Sequence, residues 1–252
     1  MAQLDILERH RETWRHKKIL RVIYEGWYRW ILKDLAAGRG QTIELGAGSG
    51  NFKEFKPEVI ASDITPRPWL DICFDAHHMP FLNNHGSNII MIDVLHHLAD
   101  PIGFFQEAAR VLEQGGRVIL LEPFPSPFSL FIYRRFHPEP FIMDMDYLKT
   151  RTNDNPGNLK KDPWDANQAV AYLLFYKAHG KFLHLLDQRY HSSFKLIKRK
   201  RLGCILYPAS GGFENNALIP DWAIPLFKVL EILLTPFRWL LAFRCYVVLE
   251  KC

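Results

Sequence analysis

The chain reads as an α/β protein built on an open, mostly parallel β-sheet, and three observations predict it. Short apolar runs recur at regular intervals over residues 42–47, 58–63, 70–75, 88–93 and 117–122. Each is too short for a stable helix, several carry β-branched residues, and most are apolar on both faces, as strands covered by helices on both sides are. Helical patterns lie before and between them, the alternation of a doubly wound sheet. The first run ends abruptly in three alternating glycines, Gly46, Gly48 and Gly50. A glycine adopts positive φ without penalty and leaves no Cβ in the way of a ligand.

Taken in order, residues 3–37 predict a helix in two pieces. Leu20, Ile23, Tyr24, Trp27, Ile31 and Leu35 recur at three- and four-residue steps, and Gly38 and Gly40 stop the pattern. Trp14, Tyr28 and Trp30 lie off this stripe and are candidates for a lid, though packing explains each one alone. Residues 101–113 predict a helix with Phe104, Phe105, Ala108, Ala109 and Leu112 inward and Gly115-Gly116 as its cap. Residues 124–193 are rich in Pro, Phe, Tyr and His and show no strand rhythm. So long a segment reads as a substrate-covering insertion, with a helical pattern over 165–179 that turns Ala169, Ala171, Tyr172, Leu173 and Phe175 inward. The basic run 194–201 reads as an edge strand guarded by lysines rather than a nucleic-acid patch, since no stacking aromatics interleave. Residues 217–243 are very apolar but interrupted by Lys228, Glu231, Pro236 and Arg238. They read as two helices broken at Pro236, packed on the core or lying in a bilayer interface, with core packing favoured. Residues 245–250 close the chain as a strand.

The composition bounds the function. Length allows one large domain or two small ones, and 48% hydrophobic against 23% charged residues is ordinary for a soluble globular protein. A net charge of +5 suits an anionic partner only modestly, and nucleic acid is not expected. Cys73, Cys204, Cys245 and Cys252 form no CxxC pair, so reduced thiols in a cytosol are the simplest account. The first ten residues contain no apolar signal core. The expected location is cytoplasmic, with peripheral contact at the inner face of the membrane if the apolar helices reach it.

Three ligand classes compete for the glycine bend. A phosphate loop needs Gly-Lys-Ser/Thr, whereas Gly50 is followed by Asn51-Phe52. A dinucleotide site wants G-x-G-x-x-G opening a proper helix, but here the spacing is G-x-G-x-G and little helix fits before the next strand. A nucleoside with a non-phosphate tail fits instead: Asp63 ends the second strand, where a carboxylate accepts from both ribose hydroxyls, and Asp75 follows the third, where one accepts from an exocyclic amine.

Glu44-Leu-Gly-Ala-Gly-Ser-Gly50, Ser62-Asp63, Asp75-Ala-His-His-Met-Pro-Phe81, Asp93-Val-Leu-His-His-Leu98 and Ala109-Arg-Val-Leu-Glu-Gln-Gly-Gly116 resemble the successive motifs of class I S-adenosylmethionine-dependent methyltransferases, most closely the type 11 subgroup. The resemblance covers about a third of the chain, residues 40–123. It implies a seven-stranded Rossmann-like sheet with the last strand antiparallel and helical insertions over the active site. It further implies that Glu44, Gly46, Gly48 and Gly50 line the methionine part of the donor, that Asp63 holds the ribose, that Asp75 and Ala76 touch the adenine, that Ala47 and Ile64 also belong to the cofactor site, and that Asp93 lies near the sulfonium. The very short helix after the glycines departs from the family pattern. The expected organisation is a single methyltransferase domain over 1–252: an N-terminal helical lid (1–39), a cofactor-binding core (40–123), the insertion (124–193), and the sixth and seventh strands with the apolar helices (194–252).

Methyl transfer from a sulfonium needs alignment and exclusion of water, and an oxygen acceptor also needs a base. His96 and His97, just beyond the fourth strand, are candidates for it, although paired histidines there also cap turns. Glu122, after the fifth strand, and His137, in the insertion beside Tyr133 and Glu139, are further candidates. No metal is expected, because no ligand pair among His77, His78, His96, His97 and the aspartates has i,i+4 spacing. The aromatic insertion and the apolar helices suggest a lipophilic or aromatic small molecule, or a lipid-linked one, as acceptor. The competing readings are a non-catalytic donor-binding module that docks a partner or membrane and, more weakly, a nicotinamide-dependent dehydrogenase.

Overall fold

A computed structural model describes residues 5–136, 139–148, 166–191 and 193–252. Two helices come first. In α1 (Ile6–His16) the Asp5 carboxylate caps the Leu7 N–H at 2.9 Å. After a break at Lys17, α2 (Lys18–Asp34) buries Leu20, Ile23, Tyr24, Trp27 and Ile31 at helical spacing. Then follow β1 (Gln41–Leu45), β2 (Ile60–Asp63), β3 (Ile72–Cys73), β4 (Gly86–Ile92), α3 (Pro101–Val111), β5 (Leu112–Pro123) and α4 (Pro127–Phe136). Beyond these come α5 (Val170–Tyr172), α6 (His179–Tyr190), β6 (Phe194–Leu202), α7 (Leu206–Ser210), α8 (Ile224–Leu233), α9 (Arg238–Leu241) and β7 (Arg244–Lys251).

The seven strands form one sheet in the order β3-β2-β1-β4-β5-β7-β6. β7 runs antiparallel to both β5 and β6, and the other pairs are parallel. Both faces are covered, and the central strands alternate between two cores. Ile89, Met91, Val118, Leu120, Val247 and Leu249 pack with α3, α5 and α6, while Ile90, Ile119, Leu121, Tyr246 and Val248 pack with α2 and α7. The parallel strands therefore end at one carboxyl edge, and the reversed β7 begins there.

Several expectations are corrected. The helix predicted over 101–113 stops at Val111: Leu112 is extended and pairs with Gly86, so Gly115-Gly116 is no helix cap, and Gly115 takes φ +77° within β5. The third strand shrinks to two residues beside β2. Trp14 and Tyr28 are buried in the α2-side core, as the packing explanation expects, and Trp30 sits edge-on to Tyr246. Within 165–179, α5 and a π-helical turn (Leu173–Lys177) bury Ala169, Ala171, Leu173 and Phe175 as expected; Asp165 lies outside the described residues. Four of the five cations of β6 are engaged within the molecule. Lys198 pairs with Asp34, Arg199 and Arg201 lie over the Tyr176 ring, and Lys200 lies over Trp30. The C-terminal helices pack on the core by one side only: Ile224, with Phe227 beside it, is the one buried residue of α8, and α9 has none.

Candidate active site

The glycine bend leaves β1 as the pattern predicts. Gly46, Gly48 and Gly50 have φ of +62°, +50° and +73°, values that side chains with a Cβ resist. At Gly46 a Cβ would also lie 2.4 Å from Val94 Cγ2. Asn51–Glu54 then make a single 3₁₀ turn, as short as the sequence indicates. Asp63 closes the bend from β2: its carboxylate accepts from the Gly48 N–H at 2.9 Å and from the Thr65 N–H at 3.0 Å. From the other side, Trp69 Nε1 donates to the Gly48 carbonyl at 2.9 Å and Arg11 of α1 donates to the Ser49 carbonyl at 3.2 Å. Arg67 binds Asp5 at 2.6 Å and fastens the start of α1 to the loop after β2. An open groove of about 350 Å³ runs between Trp14, Ser49, Gly50, Lys53 and Trp69. Neither Asp63 nor Asp75 lines it, so it belongs to the outer side of the bend.

Glu44 supplies the test of whether S-adenosylmethionine fits. It is 4% exposed, and its Oε2 has no hydrogen-bond partner. Burial, and then the Asp63 charge, push its carboxyl up to about 8. A buried acceptor without a donor beside a backbone free of Cβ atoms suits a ligand that carries an ammonium group. The predicted donor contacts fall along the same edge: Ile64 follows β2 with its side chain half exposed, Ala76 is partly buried, and Asp75 accepts from the His77 N–H at 2.9 Å and ring Nδ1 at 2.7 Å. Asp93 has a partner that the sequence did not indicate. It follows β4 at φ +59° and its carboxylate pairs with Arg244, so the group expected at the sulfonium is already neutralised by a guanidinium.

Beyond Asp93, a 3₁₀ turn (Leu95–His97) brings His96 and His97 to the carboxyl edge with their ring centroids 4.3 Å apart. Glu122 is wholly buried at the end of β5. It accepts from the Val94 and Leu95 N–H groups at 3.0 and 2.8 Å and from His96 Nδ1 at 2.5 Å. Glu139 stands on the far side, its Oε2 3.6 Å from His96 Nε2 and its Oε1 3.9 Å from His97 Nε2. Burial alone would discharge His96, but the Glu122 carboxylate outweighs it and holds the imidazolium up to about 9. Burial also opposes ionisation of Glu139, yet the hydrogen bonds from His96 and Gln168 hold its carboxyl down at about 2. His97 moves the other way: burial and then the neighbouring His96 charge lower it. The pair is thus split into a charged histidine and a neutral one, and His97 Nδ1 is buried without a hydrogen-bond partner. The donor atoms of His96, His97 and Glu139 lie within 4.8 Å of one another. His137 lies outside the described residues.

Sequence reasoning passed over Arg244 and Tyr207. Arg244 is 2% exposed, lies over the Trp27 and Tyr207 rings at 5.5 and 4.9 Å, and opens β7 at the carboxyl edge. The available signal was an arginine at the mouth of an apolar strand whose reversal brings its first residue to the site.

Comparison with known proteins follows the same lines. Residues 34–120 match the type 11 family described as a methyltransferase domain. No curated protein matches the chain. Among solved structures, a SAM-dependent methyltransferase from Archaeoglobus fulgidus superposes with a TM-score of 0.53 at 15% identity, covering 92% of this chain and 94% of that one. A SAM-dependent methyltransferase from Thermotoga maritima, titled a possible histamine N-methyltransferase, gives 0.52 at 14% identity over 98% and 99%. A putative methyltransferase from Haloferax volcanii, solved with the Trm112 activator, gives 0.50 at 12% identity over 97% and 93%. At such identities these neighbours establish the fold, and the domain match carries the activity and the cofactor. Residues 34–120 match a type 11 methyltransferase domain on a methyltransferase fold, and together they make the protein an S-adenosylmethionine-dependent methyltransferase.

Proposed function

We propose that the protein methylates a lipophilic or aromatic small molecule, or a lipid-linked one, and that His97 takes the proton the acceptor gives up. S-adenosylmethionine supplies a methyl group already activated by the sulfonium charge. The chain's own task is to place the acceptor, exclude water and receive a proton. The observation that carries this reading is the splitting of the two histidines. His96 holds its proton to about 9 and makes a poor base at neutral pH, whereas His97 is kept neutral beside it. Glu122 acts through His96 and is a positioning residue. The aromatic segment 124–193, with Tyr133, Phe141 and Tyr172 among its described residues, would cover the acceptor.

The test is incubation with label in the donor's methyl group and an extract of the source cell, separated into lipid and aqueous fractions. Label should enter the lipid-extractable fraction, and His97→Ala should slow it by roughly 10²- to 10⁴-fold, the range of a lost general base, with donor affinity unchanged. Label confined to polar products would reject the acceptor class. The reading as a non-catalytic donor-binding module has the exposed apolar helices in its favour, and absence of label from every fraction would decide for it.

A further inference from the structure

We infer that the outer face of α8, α9 and α4 is a docking surface for a bilayer bearing anionic lipids. A surface helix ordinarily turns polar residues outward. In α8 the inward side is Ile224, Phe227, Glu231 and then Leu234, yet the outward side is also apolar. Trp222, Leu226, Val229 and Leu233, spaced by four, three and four residues, are 79%, 56%, 53% and 64% exposed. The surface continues through Trp239 on α9 to α4, which packs against α9 and exposes Phe131 and Phe136. Scattered exposed apolar residues need no explanation, but a contiguous face over three elements does. Among the described residues no helix is long and apolar enough to cross a membrane, so the geometry is that of helices lying in an interface.

The charges choose the occupant. Arg134, Arg135 and Lys228 are exposed on these elements, against the single exposed acid Asp221. The remaining acid, Glu231, is turned inward and accepts the N–H groups of Cys204, Ile205 and Leu206 at 2.8, 2.9 and 3.1 Å. A basic rim with tryptophans at both ends complements anionic headgroups. A two-fold partner of this same chain would instead bring a second face of the same basic charge against this one. The surface adjoins the site: α9 leads within three residues to Arg244, and Tyr133 of α4 donates to the Phe243 carbonyl at 3.2 Å. Docking would thus turn the carboxyl edge of the sheet towards the bilayer. The inference stands apart from the proposed acceptor and requires no turnover.

The test is sedimentation of the full chain with phosphatidylcholine vesicles, with and without phosphatidylglycerol. The protein should pellet with the anionic vesicles. The triple substitution Trp222→Ser, Leu226→Ser, Leu233→Ser should weaken this at least about tenfold, since inserting even one such side chain is worth that much. Arg134→Glu with Arg135→Glu should remove the preference for phosphatidylglycerol. Unchanged S-adenosylhomocysteine affinity in each variant shows that the fold and the donor site persist. Wild-type protein left in the supernatant with both vesicles would overturn the proposal. So would a triple variant that pellets as well as wild type, or a wild-type dimer that the triple substitution converts to monomer.

Discussion

Replacing Glu122 by alanine is expected to cost about 3–5 kcal/mol of folding stability, the effect of removing one partner of a buried ion pair, measured by denaturant unfolding. The substitution strands His96, which is 3% exposed, and leaves the Val94 and Leu95 N–H groups without their acceptor. The loss is comparable to the whole stability of many domains. The pH dependence distinguishes this from simple cavity formation. His96 is raised in the folded state to about 9, so its contribution is complete below the ordinary histidine value and is lost as pH rises through about 9. In Glu122, burial opposes ionisation, but the His96 charge holds the carboxyl below its ordinary value. Its contribution is complete above the ordinary carboxylate range and is lost as the solution is acidified. Wild-type stability should therefore fall on both sides of a mildly acidic plateau, and the alkaline limb should flatten in Glu122→Ala. A variant with an unaltered alkaline limb would show that His96 is not held charged.

Asp93→Ala is expected to be similarly severe, about 3–5 kcal/mol, because it leaves a buried guanidinium without its counter-charge. Arg244 is enclosed by Trp27 and Tyr207, and its Nε already lacks a hydrogen-bond partner. The double variant Asp93→Ala, Arg244→Leu should recover much of the loss, because no orphaned charge remains. Denaturation of the two single variants and the double variant forms the cycle that measures the coupling. Additive losses would mean that the two groups do not depend on each other.

These two pairs mark the boundary of what could be read from residues alone. The glycine bend and Asp63 follow from strand-then-bend chemistry, so they were legible, whereas Glu44 was indicated by the family resemblance alone. His96 and His97 were legible as candidates, but their splitting was not. It depends on Glu122 and Glu139, brought in from β5 and from the insertion. The Asp93–Arg244 pair spans 151 positions and exists only because β7 enters the sheet in reverse. The end of α3 was misread because Gly115-Gly116 has the local look of a cap, while pairing of Leu112 with Gly86 had already drawn the chain into the sheet. The C-terminal helices were legible only by half. Periodicity finds an apolar stripe but does not say what covers it, and α8 is apolar on both sides.

The account rests on a donor held by the glycine bend, Asp63 and Glu44, and calorimetric titration with S-adenosylhomocysteine at pH 7 in buffers of different ionisation enthalpy tests it directly. Glu44, raised to about 8, carries its proton before binding, and an arriving ammonium favours the carboxylate. The predicted result is saturable binding with release of a proton, lost in Glu44→Gln, and an affinity at least about tenfold lower in Asp63→Ala, the worth of a charge-assisted hydrogen bond. A flat titration with the wild-type chain, or an Asp63→Ala variant that binds as tightly as wild type, would contradict it.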